Sequence, residues 1–534
     1  MKGQRDTIFA LPPLSNPGGI VAAAATLLLL WLGLPGGGGL WPLLLFACVP
    51  LIVSVCRGSR GQAVFFALLC GVGHFLVLLY WIVFVLGHYG GLPLYLSVPA
   101  LLLLSLYMAG YFVLFALFAR AVVRHFSPPV SLWLLPCGWV ALDLLRSFLF
   151  SGFPWMDLGY GLADAPILYQ SADIWGHYGL TFLIVLFNGL FSLLLLHGVA
   201  RGGLVRMVSP VALLLLVVAC YSGWRWYQVD QLLPGTESMR VGVVQGNVDQ
   251  GQKWNPARQG KTVTGYLEQS GQLMDGEPGA QLLVWPETAL PFFPLEHPLL
   301  NPIGNFLKER RVMLLTGSPW YEMDDDQPEN IHFFNASLLF DSGRDITATT
   351  AKSHLVPFGE YVPLKKFLFF LAPLVEAVGD FVPGEIANPP ACQKSRIGVL
   401  ICFESIFPDI SRKWVDAGAS LLVNITNDAW YGRSSAPHQT LAMTRLRAVE
   451  TRRAIVRSAN TGFSAFIDPL GRLQKLSPLF VPWAEAEDVA IMEGRSLFVR
   501  GGYLFAYACL AVSCFAAVLL WQRQRLSINR AVIK

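Results

Sequence analysis

The first part of this chain contains almost no charge. Over all 534 residues, 14% are charged, whereas a soluble domain usually carries about 25%. The deficit is local, because residues 7–56 and 61–119 contain no Asp, Glu, Lys or Arg and only five acidic residues precede residue 230. This composition excludes an ordinary soluble domain for the first part of the chain. A charged segment of more usual composition begins near residue 229.

The patterns that mark several kinds of binding site are also absent. The sequence has no His-x-x-x-His pair and no Cys-x-x-Cys pair, so we expect no metal site. It has no glycine-rich phosphate loop, and the basic residues of the charged segment are scattered, so we expect no cofactor and no nucleic-acid partner. Only Cys392 and Cys402 belong to the charged segment, where they could form one disulfide in an oxidising compartment.

Eight apolar runs are long enough to cross a bilayer, which takes about 20 helical residues. They cover residues 18–35, 40–56, 64–87, 94–119, 130–149, 178–199, 207–224 and 502–521. The sequence therefore predicts a polytopic α-helical membrane domain with seven spans in residues 1–228. A further domain follows in 229–500, and 501–534 supplies the eighth span and a cytoplasmic tail.

The basic residues predict how these spans are oriented, because Lys and Arg favour the cytoplasmic side of a membrane. They cluster before the first span, after the second, fourth and sixth spans, and after the last one, at Lys2 and Arg5, Arg57 and Arg60, Arg120 and Arg124, Arg201 and Arg206, and Arg523 and Arg525. These clusters share one side only if residues 225–500 lie on the other, although Arg146 and Arg225 then fall on the outer side. In a Gram-negative bacterium, this arrangement predicts a protein of the inner membrane whose domain 229–500 faces the periplasm.

The charged segment alternates short β-rich runs with helical stretches. The runs expected to form strands are residues 239–246, 281–287, 312–317, 333–339, 348–354, 397–403, 421–427, 454–459 and 464–468. Helical stretches lie between some of them, at 258–274, 299–309, 409–417 and 436–451. Strands that alternate with helices predict an α/β layered domain.

Three of the predicted strand ends carry groups that could act together in acyl chemistry. Alone, each of Glu287, Lys352 and Cys402 would most often be a core or solvated residue. Together, they offer a thiol nucleophile, a base to take its proton, and a cation to lower the thiol pKa and stabilise an oxyanion. The backbone N–H of Phe403 would be a second oxyanion donor. His354, on the same face of its run as Lys352, is an alternative participant.

These strings resemble the Glu-Lys-Cys triad of the nitrilase (carbon-nitrogen hydrolase) superfamily, which implies an αββα sandwich. Nearly the whole chain is similar to one of its families, the apolipoprotein N-acyltransferases. The likeness rests on Ser151-Gly152-Phe153-Pro154-Trp155, Gln245-Gly246-Asn247, Lys253-Trp254-Asn255-Pro256, Trp285-Pro286-Glu287-Thr288, the string from Lys352 to Tyr361, Cys402-Phe403-Glu404, Asn427-Asp428-Ala429-Trp430-Tyr431-Gly432, Arg452-Arg453 and Asn460-Thr461-Gly462. One position departs from the family, since its members often have Tyr where Phe403 stands.

The resemblance implies a two-step acyl transfer, the last step of bacterial lipoprotein maturation. Cys402 would attack the sn-1 ester of a phospholipid, typically phosphatidylethanolamine, and form a thioester. The acyl chain would then pass to the α-amino group of a diacylglyceryl-modified N-terminal cysteine on an apolipoprotein. In this scheme Glu287 is the base and Lys352 stabilises the oxyanion.

The same resemblance implies supporting roles for further residues. Glu360 would either assist in the site or orient Lys352, and Glu404 would either act beside the nucleophile or be structural. Contacts with the substrates are expected from Trp254, Trp430, Tyr431 and Phe358.

Two further expectations concern the surroundings of the site. The apolar loop 355–375 is expected to act as a mobile lid at the bilayer surface, with a packed loop as the alternative. The alternative function is a membrane-tethered amidase or nitrilase that hydrolyses a small C–N substrate. Eight spans argue against it, because tethering needs only one.

Overall fold

The chain divides into two compact units, which we call the helical unit and the sheet unit. The computed structural model describes residues 14–198, 201–276, 278–295, 297–323, 329–361 and 381–532. The helical unit comprises Met1–Gly87, Leu92–Arg225 and Gly501–Lys534, and the sheet unit comprises His88–Gly91 and Trp226–Arg500.

Helices make up nearly all of the helical unit and occur between the strands of the sheet unit. In chain order they are α1 (Asn16–Gly33), α2 (Leu44–Ala47), α3 (Val49–Arg57), α4 (Arg60–Leu78), α5 (Trp81–Phe84), α6 (Leu94–His125), α7 (Pro128–Arg146), α8 (Ala172–His197), α9 (Arg201–Leu232), α10 (Pro256–Met274), α11 (Leu300–Arg310), α12 (Pro408–Asp416), α13 (Ala436–Thr451), α14 (Leu497–Gly501) and α15 (Leu504–Val532). Among the described residues, seven helices have the length and apolar composition to cross a membrane, and they coincide with seven of the eight predicted spans.

The second predicted span, residues 40–56, differs from a single long helix. It is a 3₁₀ turn at Trp41–Leu43 followed by the short helices α2 and α3. The break has a physical cause, because Pro50 has no N–H to donate to the carbonyl four residues earlier. The side chain of Asn188 repairs part of the ladder, since it accepts from the N–H of Cys48 and donates to the carbonyl of Leu44, both at 2.8 Å.

Two arginines of the helical unit, Arg146 and Arg225, are paired with aspartates. Arg146, at the end of α7, donates to Asp143 at 3.2 Å and also to Asp157. Arg225 lies 2.8 Å from Asp173. A buried charge needs such a partner. The two arginines that departed from the predicted charge pattern are therefore ion-paired side chains rather than free loop charges.

Contacts place the basic helix ends at one end of the helical unit. Arg120, in the last turns of α6, donates to the carbonyl of Cys56 at 3.2 Å, and Arg124 donates to the same carbonyl at 3.1 Å. Arg523 of α15 donates to the carbonyl of His125 at 2.7 Å. The start of α4 lies at this end as well, since it follows α3 directly after Ser59.

The described part of the sheet unit contains two six-stranded sheets. In chain order the strands are β1 (Ser238–Gln245), β2 (Leu282–Val284), β3 (Met313–Met323), β4 (Ile331–Phe340), β5 (Ile346–Ala351), β6 (Ala391–Cys392), β7 (Ser395–Ile401), β8 (Leu421–Thr426), β9 (Ile455–Ala459), β10 (Ala465–Ile467), β11 (Leu473–Leu476) and β12 (Trp483–Ala490). The strand orders are β12-β1-β2-β3-β4-β5 and β11-β10-β9-β8-β7-β6. The central strands β1, β2 and β3 run parallel, as do β7, β8 and β9.

Alternating side chains join the two sheets face to face. Val241 and Val243 of β1 and Val399 and Ile401 of β7 belong to one buried cluster between the sheets. The opposite face of the first sheet packs on α10 and α11, and Val244 contributes to that second cluster. On the second sheet, α12 contacts β7 and α13 contacts β9. The predicted αββα sandwich is confirmed.

All nine predicted strands and all four predicted helical stretches overlap observed elements. The missed strands are β6, β11 and β12. In β12, which pairs antiparallel with the edge of β1, Ala and acidic residues alternate and most side chains are only half-buried. An edge strand that is solvated on one side does not need the continuous apolar run by which a buried strand is found.

Candidate active site

The candidate nucleophile, Cys402, lies on a sharp turn at the carboxyl end of β7. Its φ is +54°, in the left-handed region that non-glycine residues rarely adopt. This conformation turns the chain directly from β7 into a 3₁₀ helix, Cys402–Ile406. The thiol is half-buried and free. The amide of Phe403, the expected second oxyanion donor, belongs to the first turn of that helix.

Glu287 lies on a turn three residues after β2 and is 6% exposed. Its Oε1 accepts a hydrogen bond from the amide of Asn335 at 2.8 Å. Among the described residues, its Oε2 has no hydrogen-bond partner although it is buried. A buried carboxylate oxygen without a donor costs free energy. Such an oxygen is also free to accept a proton.

Lys352 follows β5 directly and is 1% exposed. Its ammonium group lies 2.9 Å from Oε1 of Glu360, and the same oxygen accepts from the amide of Asn335 at 2.8 Å. The N–H of Val356 donates to the other oxygen of Glu360 at 2.8 Å. Glu360 is therefore ion-paired with Lys352, which favours the orienting alternative, and Asn335 hydrogen-bonds to both Glu360 and Glu287.

The environment determines the charge state of the two reactive groups. Burial raises the pKa of Cys402 to about 12, the carboxylate of Glu287 adds to this rise, and Lys352 opposes it. Burial alone would lower the pKa of Lys352, but the carboxylate of Glu360, with Cys402 and Glu287, raises the pKa of this lysine above its ordinary value. The resting site thus holds a protonated thiol and a protonated lysine. The expected effect of Lys352 on the thiol pKa is present but is outweighed by burial.

Glu404 braces the loop of Lys352 against the strand of Cys402. One carboxylate oxygen accepts three hydrogen bonds: from the N–H of Ser353 at 2.7 Å, from the hydroxyl of Ser353 at 2.6 Å, and from the N–H of His354 at 3.1 Å. The other oxygen accepts from the N–H of Ile401 at 2.7 Å. This geometry favours the structural alternative for Glu404, because both of its oxygens are occupied by backbone donors.

The ring of His354 packs against two aromatic rings that follow Cys402. Its ring lies 4.0 Å from that of Phe407 and 6.2 Å from that of Phe403, measured between centroids. Burial, together with the charge of Lys352, lowers the pKa of His354 to about 4. The imidazole is therefore neutral at physiological pH.

The four residues expected to contact substrate differ in position. Trp254 and Phe358 are 45% exposed. Trp430 is half-buried, and its ring packs at 5.0 Å against that of Tyr89, which belongs to the sheet unit. Burial raises the pKa of Tyr431, and interactions with Cys402 and Glu287 add to the rise, so Tyr431 lies near the reactive groups. Of the predicted lid, the part beyond residue 361 lies outside the described residues.

A disulfide between Cys392 and Cys402 does not form. Both thiols are free, and that of Cys392 is buried at 3.6 Å from the sulfur of Met313. Cys392 pairs with Ser395 at the start of β7, whereas Cys402 follows the end of that strand. Seven residues of strand separate them by roughly 23 Å at about 3.3 Å per residue. A disulfide needs a Cα separation below about 7 Å.

Two residues of this site were not identified in the sequence. Asn335 lies inside β4, in a run that reads as an ordinary strand. Lys253 lies on the loop after β1, is 1% exposed, and donates from Nζ to the backbone carbonyl of Glu287 at 3.0 Å. Lys253 did fall within a motif shared with the apolipoprotein N-acyltransferases, and that was the available signal.

Comparisons with known proteins agree with the two-unit architecture. The profile described as the apolipoprotein N-acyltransferase N-terminal domain matches residues 27–190, and the carbon-nitrogen hydrolase profile matches residues 240–481. An apolipoprotein N-acyltransferase of Geobacter metallireducens is 39% identical over 91% of this chain and 92% of its own length. That of Gloeobacter violaceus is 34% identical over 94% of both chains. The chain belongs to the apolipoprotein N-acyltransferase family. It is therefore an acyltransferase and a multi-pass membrane protein.

The solved structures similar to this chain align with about half of it. An amidase from Nesterenkonia sp. AN1 is 18% identical, with a TM-score of 0.36, and covers 52% of this chain and 98% of its own. The Nit3 protein of Saccharomyces cerevisiae, a member of the nitrilase superfamily, is 16% identical, with a TM-score of 0.37, and covers 48% of this chain and 90% of its own.

Proposed function

We propose that this family member transfers an acyl chain from the sn-1 position of a glycerophospholipid, such as phosphatidylethanolamine, to the N-terminal diacylglyceryl-cysteine of apolipoproteins. The observation that carries the proposal is the buried Oε2 of Glu287, which has no hydrogen-bond partner in the described parts of the chain. The same site contains a free thiol and a lysine paired with a second carboxylate. Helices of membrane-spanning length in the same chain support a lipid donor.

In the first half-reaction, Oε2 of Glu287 takes the proton of Cys402 as the sulfur attacks the ester carbonyl carbon. Attack must be coupled to this proton transfer, because the thiol pKa of about 12 leaves almost no preformed thiolate. Lys352 stabilises the negative charge on the carbonyl oxygen, with the amide of Phe403 as second donor. The C–O bond then breaks, Glu287 returns the proton to the departing oxygen, and a lysophospholipid leaves.

In the second half-reaction, the α-amino nitrogen of the acceptor attacks the thioester carbonyl carbon. Glu287 takes a proton from the nitrogen, and Lys352 again stabilises the oxyanion. The C–S bond breaks, and the proton passes to the sulfur to regenerate the thiol of Cys402. The thioester has to wait for a large acceptor, so exclusion of water from the site matters. The burial of Glu287 and Lys352 supports that exclusion.

Orientation in the inner membrane, with the sheet unit in the periplasm, is part of the proposal. The start of α1 lies beside that of α4, since the amide of Gln62 donates to Asn16 at 2.7 Å. α1 therefore starts at the basic end of the helical unit, and the short helices α2 and α3 return to that end at Arg57. These contacts support counting residues 41–57 as a crossing, and seven crossings before residue 229 are the number that the proposed periplasmic orientation requires.

The test uses the full-length protein in liposomes that contain phosphatidylethanolamine with an isotope-labelled sn-1 chain. Mass spectrometry should find the labelled acyl group on Cys402, with release of lysophospholipid, and a diacylglyceryl-cysteine peptide should discharge it. Cys402→Ser should abolish both steps, whereas Cys392→Ser, at a buried thiol outside the site, should leave them intact. Absence of the acyl-protein in the wild type, together with release of ammonia from small amides, would support the amidase instead.

A further inference from the structure

Lys253 is a buried lysine on an otherwise exposed turn. It is 1% exposed, whereas Gln252 and Trp254 on either side of it are exposed. Lysine is almost never fully buried unless it is paired, because burial of its charge is costly. Its Nζ donates to the backbone carbonyl of Glu287 at 3.0 Å. In the described part of the chain, no carboxylate lies within ion-pair distance of this ammonium group, so its burial calls for a functional explanation.

The loop of Lys253 is anchored to the sheet that carries the nucleophile. The amide of Asn460, after β9, donates to the carbonyl of Val248 at 2.8 Å, and the N–H of Val248 donates back at 2.9 Å. The amide of Asn427, after β8, donates to Gln250 at 2.6 Å. Through Lys253, this loop ties the turn of Glu287, in the first sheet, to the strand ends of the second sheet.

The turn that Lys253 holds is a strained one. Thr288, directly after Glu287, has a φ of +50°. On its other side the turn packs against Gly317 of β3 so closely that a Cβ there would lie 2.5 Å from the backbone nitrogen of Thr288. A positive φ at a β-branched residue persists only where the surroundings enforce it. The hydrogen bond from Lys253 restrains the carbonyl of Glu287, directly before Thr288.

The charge of Lys253 also differs in kind from that of Lys352. Lys352 is ion-paired with Glu360 at 2.9 Å, so its charge is already balanced before the reaction begins. Among the described residues, the direct partner of Lys253 is a neutral carbonyl. The titratable groups that interact with its charge are Glu287, after β2, and Cys402, after β7. Lys352 and Tyr431 interact with those same two groups.

We propose that Lys253 is a positioning residue for Glu287. Its positive charge also stabilises the negative charge that shifts, during the reaction, from the carboxylate of Glu287 to the sulfur and then to the carbonyl oxygen. The inference rests on the proposed function and adds a residue to it. A neutral donor at this position would hold the turn but would not stabilise the moving charge. Positioning and charge can therefore be separated by substitution.

Titration of Lys253 provides the readout that a purely structural role would not change. Burial lowers the pKa of Lys253 to about 8, although Glu287 and Cys402 oppose that effect. The pKa of Cys402 is about 12, that of Lys352 is raised above its ordinary value, and that of His354 is about 4. Loss of activity above pH 8 in the first half-reaction would therefore report Lys253.

The experiment follows the rate of Cys402 acylation by labelled phosphatidylethanolamine in liposomes, without acceptor, from pH 6 to 10. The wild-type rate should fall as Lys253 loses its proton, by roughly 30-fold at pH 9.5 for a pKa near 8. Lys253→Arg should keep its rate across this range, because arginine stays charged. Lys253→Gln keeps a hydrogen-bond donor without the charge, and it should acylate more slowly than the wild type at pH 7. Lys253→Met should be slower than the wild type by about 100-fold. Neither variant should show the fall in rate near pH 8.

Each outcome either supports or overturns the proposal. A wild-type rate in Lys253→Met, or the same fall near pH 8 in Lys253→Gln as in the wild type, would overturn it. If Lys253→Arg fails to fold, the comparison of the wild type with Lys253→Gln still decides. Lys261→Met, at an exposed lysine of α10, is the matched control. A wild type that never acylates Cys402 would instead refute the proposed function, so the two failures are distinguishable.

Discussion

The substitution Asn335→Asp tests how the two carboxylates of the site are held together. The amide nitrogen of Asn335 donates to Glu287 and to Glu360, in each case at 2.8 Å. Aspartate has nearly the same shape, but it replaces this shared donor with a third carboxyl group. The change therefore alters charge and hydrogen bonding while the packing inside β4 is preserved.

The magnitude follows from comparing two ways of accommodating the new carboxyl. Left ionised, it would face two carboxylates at about 3 Å, which costs about 5 kcal/mol for each pair at an effective dielectric constant near 20. Taking up a proton instead costs about 4 kcal/mol at pH 7 and about 1.5 kcal/mol at pH 5, from an ordinary aspartate pKa of about 3.9. Protonation is the cheaper route. The folded-state pKa of the new group is thus raised, and the destabilisation grows as pH rises above about 4.

Thermal unfolding of the full-length protein in detergent measures the effect. The loss of melting temperature relative to the wild type should be about 5–10 °C smaller at pH 5 than at pH 7, at about 2–4 °C per kcal/mol. Asn335→Leu removes the same donor without adding a charge, so its deficit should not follow this pH dependence. Equal deficits of Asn335→Asp at both pH values would refute the electrostatic account. Acylation of Cys402 should fall in both variants, because Oε1 of Glu287 loses its donor.

Two further predictions concern the supports of the site. Gly317→Ala would place a Cβ 2.5 Å from the backbone nitrogen of Thr288, so the rate of Cys402 acylation should fall by about tenfold or more. The control is Gly265→Ala, where no atom lies within 4 Å of the new Cβ. Equal acylation rates in these two variants would contradict the argument. Glu404→Gln leaves the buried N–H of Ile401 facing an amide instead of a carboxylate oxygen at 2.7 Å, so thermal unfolding should show a loss of about 1–3 kcal/mol, and an unchanged melting temperature would count against the bracing role.

Composition and periodicity were enough for most of the architecture. Long uncharged runs can only be buried in lipid or protein, so seven of the eight spans were predictable, including α6, α7 and α9, which each contain an internal proline. The span at 40–56 was predicted as continuous because nearly all of its residues are apolar. The break at Pro50, and its compensation by the side chain of the distant Asn188, do not change that composition. Strands buried between two layers were likewise visible as Val, Ile and Leu runs, whereas the half-exposed edge strand β12 was not.

Prediction of the site followed a similar division. Glu287, Lys352 and Cys402 stand next to apolar runs at strand ends, and the structure brings their interacting groups together. Asn335 could not be found in this way, because it is a polar residue inside a strand and its two partners are 48 and 25 residues away in the chain. The burial of Lys253 is equally invisible locally, since a lysine on a polar loop is usually solvated.

The burial of this site has opposite consequences for the two halves of a transfer reaction. Burial raises the thiol pKa of Cys402 to about 12, and deprotonating such a group at pH 7 costs roughly 7 kcal/mol. A nearby base with an unoccupied oxygen is therefore required, and the buried Oε2 of Glu287 is in that state. The same exclusion of water protects a thioester until an amine arrives. A site that favours transfer over hydrolysis should thus have a slow nucleophile that depends on a base. In the proposed mechanism, Lys352, which is paired with Glu360 at 2.9 Å, would stabilise the charge that develops.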